Sequence, residues 1–285
     1  QCDWSSDVCS SDLSKKSIAR ALASGDLIES NIVEPASVGL GAPWAGAMTH
    51  PKVPFISYPY EWTFSMLKDA ALLQLRLTRE TLADGIGLKD ATPYNVQFIG
   101  SRPQFIDAGS FEKRRKSDPW YGYRQFCEMF LYPLMLQGYL GVGFQPFLRG
   151  AVNGISPDTM RKLLPASIRR PRKGRLTHVV LHAAAQNRFA DSNVEMKKEA
   201  AKAGMSAAVL DATLGKLEKI VKGLTLGDKK STWSEYTERG HYIENSLDEK
   251  ERFVRDAVAS SPRRLVFDID RKSTRLNSSH TDISR

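Results

Sequence analysis

The chain has 285 residues, with 41 Lys and Arg against 32 Asp and Glu, a formal net charge of +9 and 41% hydrophobic residues. Three cysteines are too few for a disulfide framework or a four-cysteine zinc cluster, and no run of about 18 apolar residues marks a membrane span. The expectation is a cytoplasmic protein of one large or two smaller cores.

The first thirteen residues mix Ser, Asp and Cys with no helical or strand period, and they lack the regions of a signal peptide. Residues 270–280 are equally patternless. One DNA sequence, read on opposite strands, encodes both stretches, and that DNA is similar to a sequencing-library adapter. Residues 1–13 and 270–285 are therefore read as adapter artefact and set aside, which leaves Cys127 as the single cysteine.

Residues 14–47 are rich in Gly and Ala and read as an incomplete first element followed by loop. Residues 54–62 read as a short apolar strand entering an aromatic loop. Phe64, Leu67, Ala71, Leu75, Thr78 and Leu82 then recur at three- and four-residue steps, which predicts an amphipathic helix stopped by Gly85. Val96 to Ile99 and Gln104 to Ile106 flank Gly100-Ser-Arg-Pro103, the pattern of a hairpin. A second helix is expected after Pro119, with Tyr123, Phe126, Cys127, Phe130, Leu131 and Leu134 on one side.

Residues 161–175 carry Arg161, Lys162, Arg169, Arg170, Arg172, Lys173 and Arg175, broken by Pro165 and Pro171, and read as a solvated linker. Residues 205–224 resume helix, with Leu210, Leu214, Leu217, Val221 and Leu224 spaced for one face. A charged helix is expected over 248–259, and a strand over 264–269.

The segment with the most chemistry is Leu88-Lys-Asp-Ala-Thr-Pro-Tyr-Asn95, followed by the hairpin and by Phe105-Ile-Asp-Ala-Gly109. A carboxylate, an amide oxygen five residues later and a second carboxylate beyond a hairpin can supply a base and two hard metal ligands at a fixed separation. The segment resembles the catalytic loop and metal motif of protein-kinase-like phosphotransferases. That resemblance implies Asp90 as catalytic base, with Asn95 and Asp107 as magnesium ligands beside ATP. Leu88 stands where that family has His, and Ala108 where it has Phe. No glycine-rich phosphate loop is visible. The alternative is that Asp90 and Asn95 cap a turn while Asp107 satisfies backbone amides.

Five phrases together resemble one bacterial family: Phe55-Ile-Ser-Tyr-Pro-Tyr-Glu-Trp62, Met66-Leu-Lys-Asp-Ala-Ala-Leu-Leu73, Leu88 to Asn95, Phe105-Ile-Asp-Ala-Gly-Ser-Phe-Glu112 and Trp120-Tyr-Gly-Tyr-Arg-Gln-Phe-Cys127. It is the SAM-dependent methyltransferase family related to nodulation protein NoeA, and the resemblance is strong over 45–150 and looser over 150–269. It implies a front region preceding a class I methyltransferase domain. Leu265-Val-Phe-Asp-Ile269 then matches the first strand of a Rossmann-like α/β domain, cut off before its glycine-rich turn. No SAM-binding residue can be carried onto this chain.

The expected organisation is α+β. A kinase-like domain covers 14–155 with an incomplete N-terminus. A basic linker and helical connector follow over 156–231, and the start of a truncated methyltransferase domain over 232–269. The expected function is that of a methyltransferase fragment lacking the SAM core, acting on an unknown methyl acceptor. Two alternatives stay open: a kinase-like phosphotransferase or pseudokinase using Mg-ATP, and a non-enzymatic nucleic-acid or partner-binding module. Nucleic acid is not favoured, because the basic residues of 161–175 and of the run Lys113 to Lys116 lack interleaved aromatics. His178 and His182 have helical ligand spacing but no third ligand. Cys127, on an apolar helix side, reads as a packing thiol, and Trp120, Tyr121 and Tyr123 read as core aromatics.

Overall fold

The computed structural model describes residues 15–41, 44, 46–114, 120–164, 206–226 and 244–260. They fall into two units, one within 1–227 and one within 228–285.

In the first unit, α1 (Lys16–Ser24) buries Ser17, Ile18 and Ala21. Two short antiparallel strands, β1 (Asn31–Val33) and β2 (Ala47–Thr49), follow where the sequence suggested only loop. The short strand expected to open residues 54–62 does not form. Pro54 and Pro59 cannot donate to a ladder, Phe55 is 75% exposed, and residues Pro59–Glu61 make a 3-10 turn. Gln97 takes the place of a partner strand. Its side-chain oxygen accepts from Ser57 N at 3.0 Å and its Nε2 donates to Ser57 O at 3.0 Å.

Helix α2 (Phe64–Leu82) is capped by Thr63, whose hydroxyl accepts from Met66 N. Its buried positions extend well beyond one stripe because it is covered on more than one side. Thr78 and Thr81 are buried on it and satisfy their hydroxyls on the carbonyls of Gln74 and Leu77 one turn back. The chain then runs through β3 (Ile86–Leu88), β4 (Val96–Ile99), β5 (Arg102–Phe105) and β6 (Phe111–Lys113). The hairpin is β4–β5, in the register Val96↔Phe105 to Ile99↔Arg102. Its second strand starts two residues earlier than the sequence suggested. β3 pairs with β6 antiparallel, Leu88 opposite Phe111, a pairing the sequence did not reveal.

The second long helix, α3, runs over 123–140. Its segments Tyr123–Phe126 and Tyr132–Met135 are α-helical, while Cys127–Leu131 and Leu136–Leu140 are π-helical. Pro133 cannot donate to the turn before it, and the first π segment lies just ahead of that proline. Residues 126–136 are buried on every side, whereas a single apolar side was expected. Cys127 is fully buried. Tyr121, expected in the core, is 63% exposed.

Helices α4 (Gln145–Gly150) and α5 (Pro157–Leu163) follow, and Met160 of α5 is buried. Helix α6 (Ala207–Lys222) presents Leu210, Leu214, Leu217 and Val221 to the core and packs on α2. Arg79 of α2 bonds Asp211 and Glu218 at 2.8 and 2.7 Å. Lys68 donates to the carbonyls of Lys222 and Leu224, satisfying the orphan carbonyls at the helix end. The stretch read as linker and connector therefore supplies α5 and α6 to the core of the first unit.

In the second unit, α7 (Glu244–Ala259) starts four residues before the expected 248. It carries an Arg255–Glu251 pair at 2.6 Å and exposes Phe253. No helix among the described residues is long and apolar enough to cross a membrane. The adapter-like ends, residues 165–175, His178, His182 and the strand at 264–269 lie outside the described residues.

Candidate functional site

Asp90 follows β3, Asn95 ends the 3-10 turn Pro93–Asn95, and Asp107 follows β5. The hairpin brings Asp107 back beside Asn95, where Ile106 N donates to Asn95 O at 2.8 Å. Asp107 then caps the 3-10 turn Ala108–Ser110, its Oδ1 accepting from Gly109 N at 3.1 Å. Its Oδ2 accepts from Asn95 Nδ2 at 3.0 Å and from Ser110 Oγ at 2.6 Å.

Ser110 joins the three residues singled out from sequence. Its hydroxyl is 2.6 Å from Asp107 Oδ2 and 3.4 Å from Asp90 Oδ2. One proton can serve one acceptor well, and the shorter contact wins. Ser110 is fully buried and its carbonyl accepts from Lys89 N. The arrangement contains capping contacts, as the plainer reading of the motif required, and it also brings Asp90, Asn95 and Asp107 to one place.

Four side chains or carbonyls hold the backbone around Asp90. Gln74 of α2 donates to Asp90 O at 3.0 Å, and Gln125 of α3 accepts from Ala91 N at 2.7 Å. The third is the Lys89–Ser110 bond. Trp120 Nε1 donates to Leu88 O at 3.1 Å. Gly122 lets the start of α3 close on this loop, since a Cβ there would lie 2.9 Å from both Ala91 Cβ and Trp120 Nε1. Ser110, Gln74 and Gln125 were missed from sequence. Their bonds span 16 to 34 residues for the glutamines, and no local pattern announces such a partner. Ser110 and Gln125 carried a weaker signal, as they lie inside the phrases 105–112 and 120–127.

Beside Asp90 lies an open cleft of ≈ 530 Å³, lined by Lys89, Asp90, Tyr121, Arg124, Gln125, Glu128, Met129 and Asn153. Arg124 Nε donates to Glu128 Oε1 at 3.0 Å. The Glu128 side chain is 7% exposed while that of Arg124 is 64% exposed. Burial pushes the Glu128 carboxyl above its ordinary range, and the Arg124 hydrogen bond and charge oppose this. Burial also pushes the Cys127 thiol up to about 12, which keeps it from serving as a nucleophile.

Among the described residues no group of three or more His, Cys, Asp or Glu is placed to hold a metal ion. A cation at this site would rest on two aspartates and the Asn95 amide oxygen. In this structure Asn95 presents Nδ2 rather than that oxygen to Asp107, so a cation shared by the two would require the amide to turn over.

The chain is similar to nodulation protein NoeA of Rhizobium meliloti (strain 1021), 36% identical over 228 residues, which is 79% of this chain and 47% of that protein. It thus spans about half the length of the curated relative it matches. No family profile and no solved structure matches.

Proposed function

We propose that the chain is the acceptor-recognising front region of a longer SAM-dependent methyltransferase related to NoeA, with the molecule to be methylated held in the cleft beside Asp90. The observation that carries this reading is Asp90 itself. Its backbone is held by Gln74 on one side and by the Ala91–Gln125 bond on the other, and its residue opens on a polar cleft. A carboxylate so held can accept the proton of a hydroxyl or amine that becomes a nucleophile. The similarity over half of a longer relative supports placing the methyl-donor chemistry in the other half. The described residues do not fit SAM. Their three sheets are two-stranded and antiparallel, whereas SAM-type sites need a parallel strand running into a glycine-rich turn. No step involving SAM is assigned to them.

The test is methyl transfer by the product of the source gene read beyond residue 269. That product should move a labelled methyl group from SAM to a small polar acceptor, and Asp90→Asn should slow the transfer. This chain alone should bind no SAM by calorimetry. SAM binding by this chain, or an extended product without transfer, sinks the reading.

A second reading is favoured by the Asp90–Ser110–Asp107–Asn95 network. Here the domain is kinase-like, Asn95 and Asp107 would hold magnesium, and the metal would neutralise phosphate charge. Asp90 would take the proton of the attacking hydroxyl. Millimolar Mg-ATP should then raise the melting temperature, and Asp107→Ala should abolish the rise. An unchanged melting temperature in the parent chain removes this reading.

A further inference from the structure

We infer that the cleft beside Asp90 is a binding site for a small neutral polyhydroxylated molecule, a sugar in chemical type. The inference rests on the cleft being the acceptor site, and it names the class of acceptor.

Size comes first. A cleft of ≈ 530 Å³ falls within the roughly 300–1,000 Å³ of small-molecule sites and far exceeds the needs of a water or an ion.

Charge comes second. Asp90 and Glu128 bring two carboxylates, and Lys89 and Arg124 bring two cations, so the lining is formally balanced. An anionic ligand needs surplus positive charge and a cationic ligand surplus negative charge, and the lining supplies neither. A flat apolar ligand needs an apolar wall, and here only Met129 and the Tyr121 ring are apolar.

The polar groups come third. Gln125 has its oxygen on Ala91 N, so its Nε2 is the part left to donate. Glu128 spends Oε1 on Arg124, which leaves its second oxygen to meet a hydroxyl. A carboxylate and a primary amide on successive parts of one wall are complementary to vicinal hydroxyls, which both donate and accept.

The Glu128 wall is rigid. Ile155 N donates to Glu128 O at 2.9 Å, and Gly154 approaches so closely that a Cβ there would sit 2.4 Å from that oxygen. Tyr121, 63% exposed at the edge, offers a ring on which the C–H face of a sugar can stack. Preorganised acceptors, amide donors and one exposed ring together select a polyol.

The experiment is saturation-transfer NMR with calorimetry on the full chain. The probes are glucose and maltose, with glucosamine as cationic and glucuronate as anionic comparison. The neutral sugars should bind saturably in the millimolar range or tighter, and more tightly than either charged sugar. Tyr121→Ala, an exposed change that leaves the core untouched, should weaken binding by up to about tenfold. Glu128→Gln should weaken it as well. Neutral sugars failing to bind at tens of millimolar, a charged sugar binding better, or affinities unmoved in both variants would each overturn the inference. Sugar binding that persists when the extended protein transfers no methyl group would sink the methyltransferase reading and leave this site standing.

Discussion

Replacing Gln125 by Met removes one acceptor from the site at nearly constant side-chain length. Gln125 Oε1 takes the Ala91 N–H at 2.7 Å, and Ala91 is fully buried, so no water replaces the lost oxygen. An amide stranded in this way costs about 1–3 kcal/mol. With a urea m-value of about 2 kcal/mol/M, the unfolding midpoint should fall by roughly 0.5–1.5 M. Gln125→Glu keeps an acceptor at the same reach and should lose less. Two measurements test this: urea titration of both variants, and hydrogen exchange of the Ala91 amide, whose protection should drop in Gln125→Met alone. If Gln125→Met lies within about 0.5 kcal/mol of the parent and Ala91 keeps its protection, Gln125 does not hold the Asp90 loop.

Gly154→Ala should be more damaging. Its φ of +75° is costly for any residue with a Cβ, and the new atom would meet the Glu128 carbonyl. The left-handed strain alone is about 1–2 kcal/mol, and displacing the carbonyl also loses the Ile155 bond. A melting temperature equal to the parent's would refute the close approach. Glu128 supplies a pH test. Its folded-state pKa is raised, so its contribution to stability is full below the ordinary value of 4.5 and is lost as pH rises through the folded value. Stability of Glu128→Gln relative to the parent should therefore grow between about pH 4 and pH 7, and a flat difference would contradict the burial of this carboxyl. Cys127, pushed up to about 12 by burial, should resist thiol reagents in a chain with Cys2 and Cys9 changed to Ser. Labelling should track unfolding, and fast labelling of the folded chain would show the thiol to be accessible.

The long helices were legible because their information is local. A three- and four-residue apolar period ended by Gly85 defines α2, and Leu210, Leu214, Leu217 and Val221 define α6. The β4–β5 hairpin was legible for the same reason, since Gly100 sits between two alternating runs. The spacing of Asp90, Asn95 and Asp107 also marked them as a set, and the hairpin does bring them together.

What stayed hidden depends on contacts far apart along the chain. β3 and β6 are three residues each, too short for a period to show, and they exist because Leu88 meets Phe111. The apolar run opening residues 54–62 looked like a short strand, but its prolines exclude a ladder and a single side chain, Gln97, takes over the pairing at Ser57. The all-round burial of α3 follows from what surrounds it, which its own pattern does not encode. The cleft is the clearest case. Asp90 comes from a strand end, Gln125 and Glu128 from a helix and Asn153 from a loop, and nothing local in the sequence ties the last three to the first. Local chemistry named the candidate base. Only packing, by closing Gly122 on Ala91 and Gly154 on Glu128, decided what stands beside it.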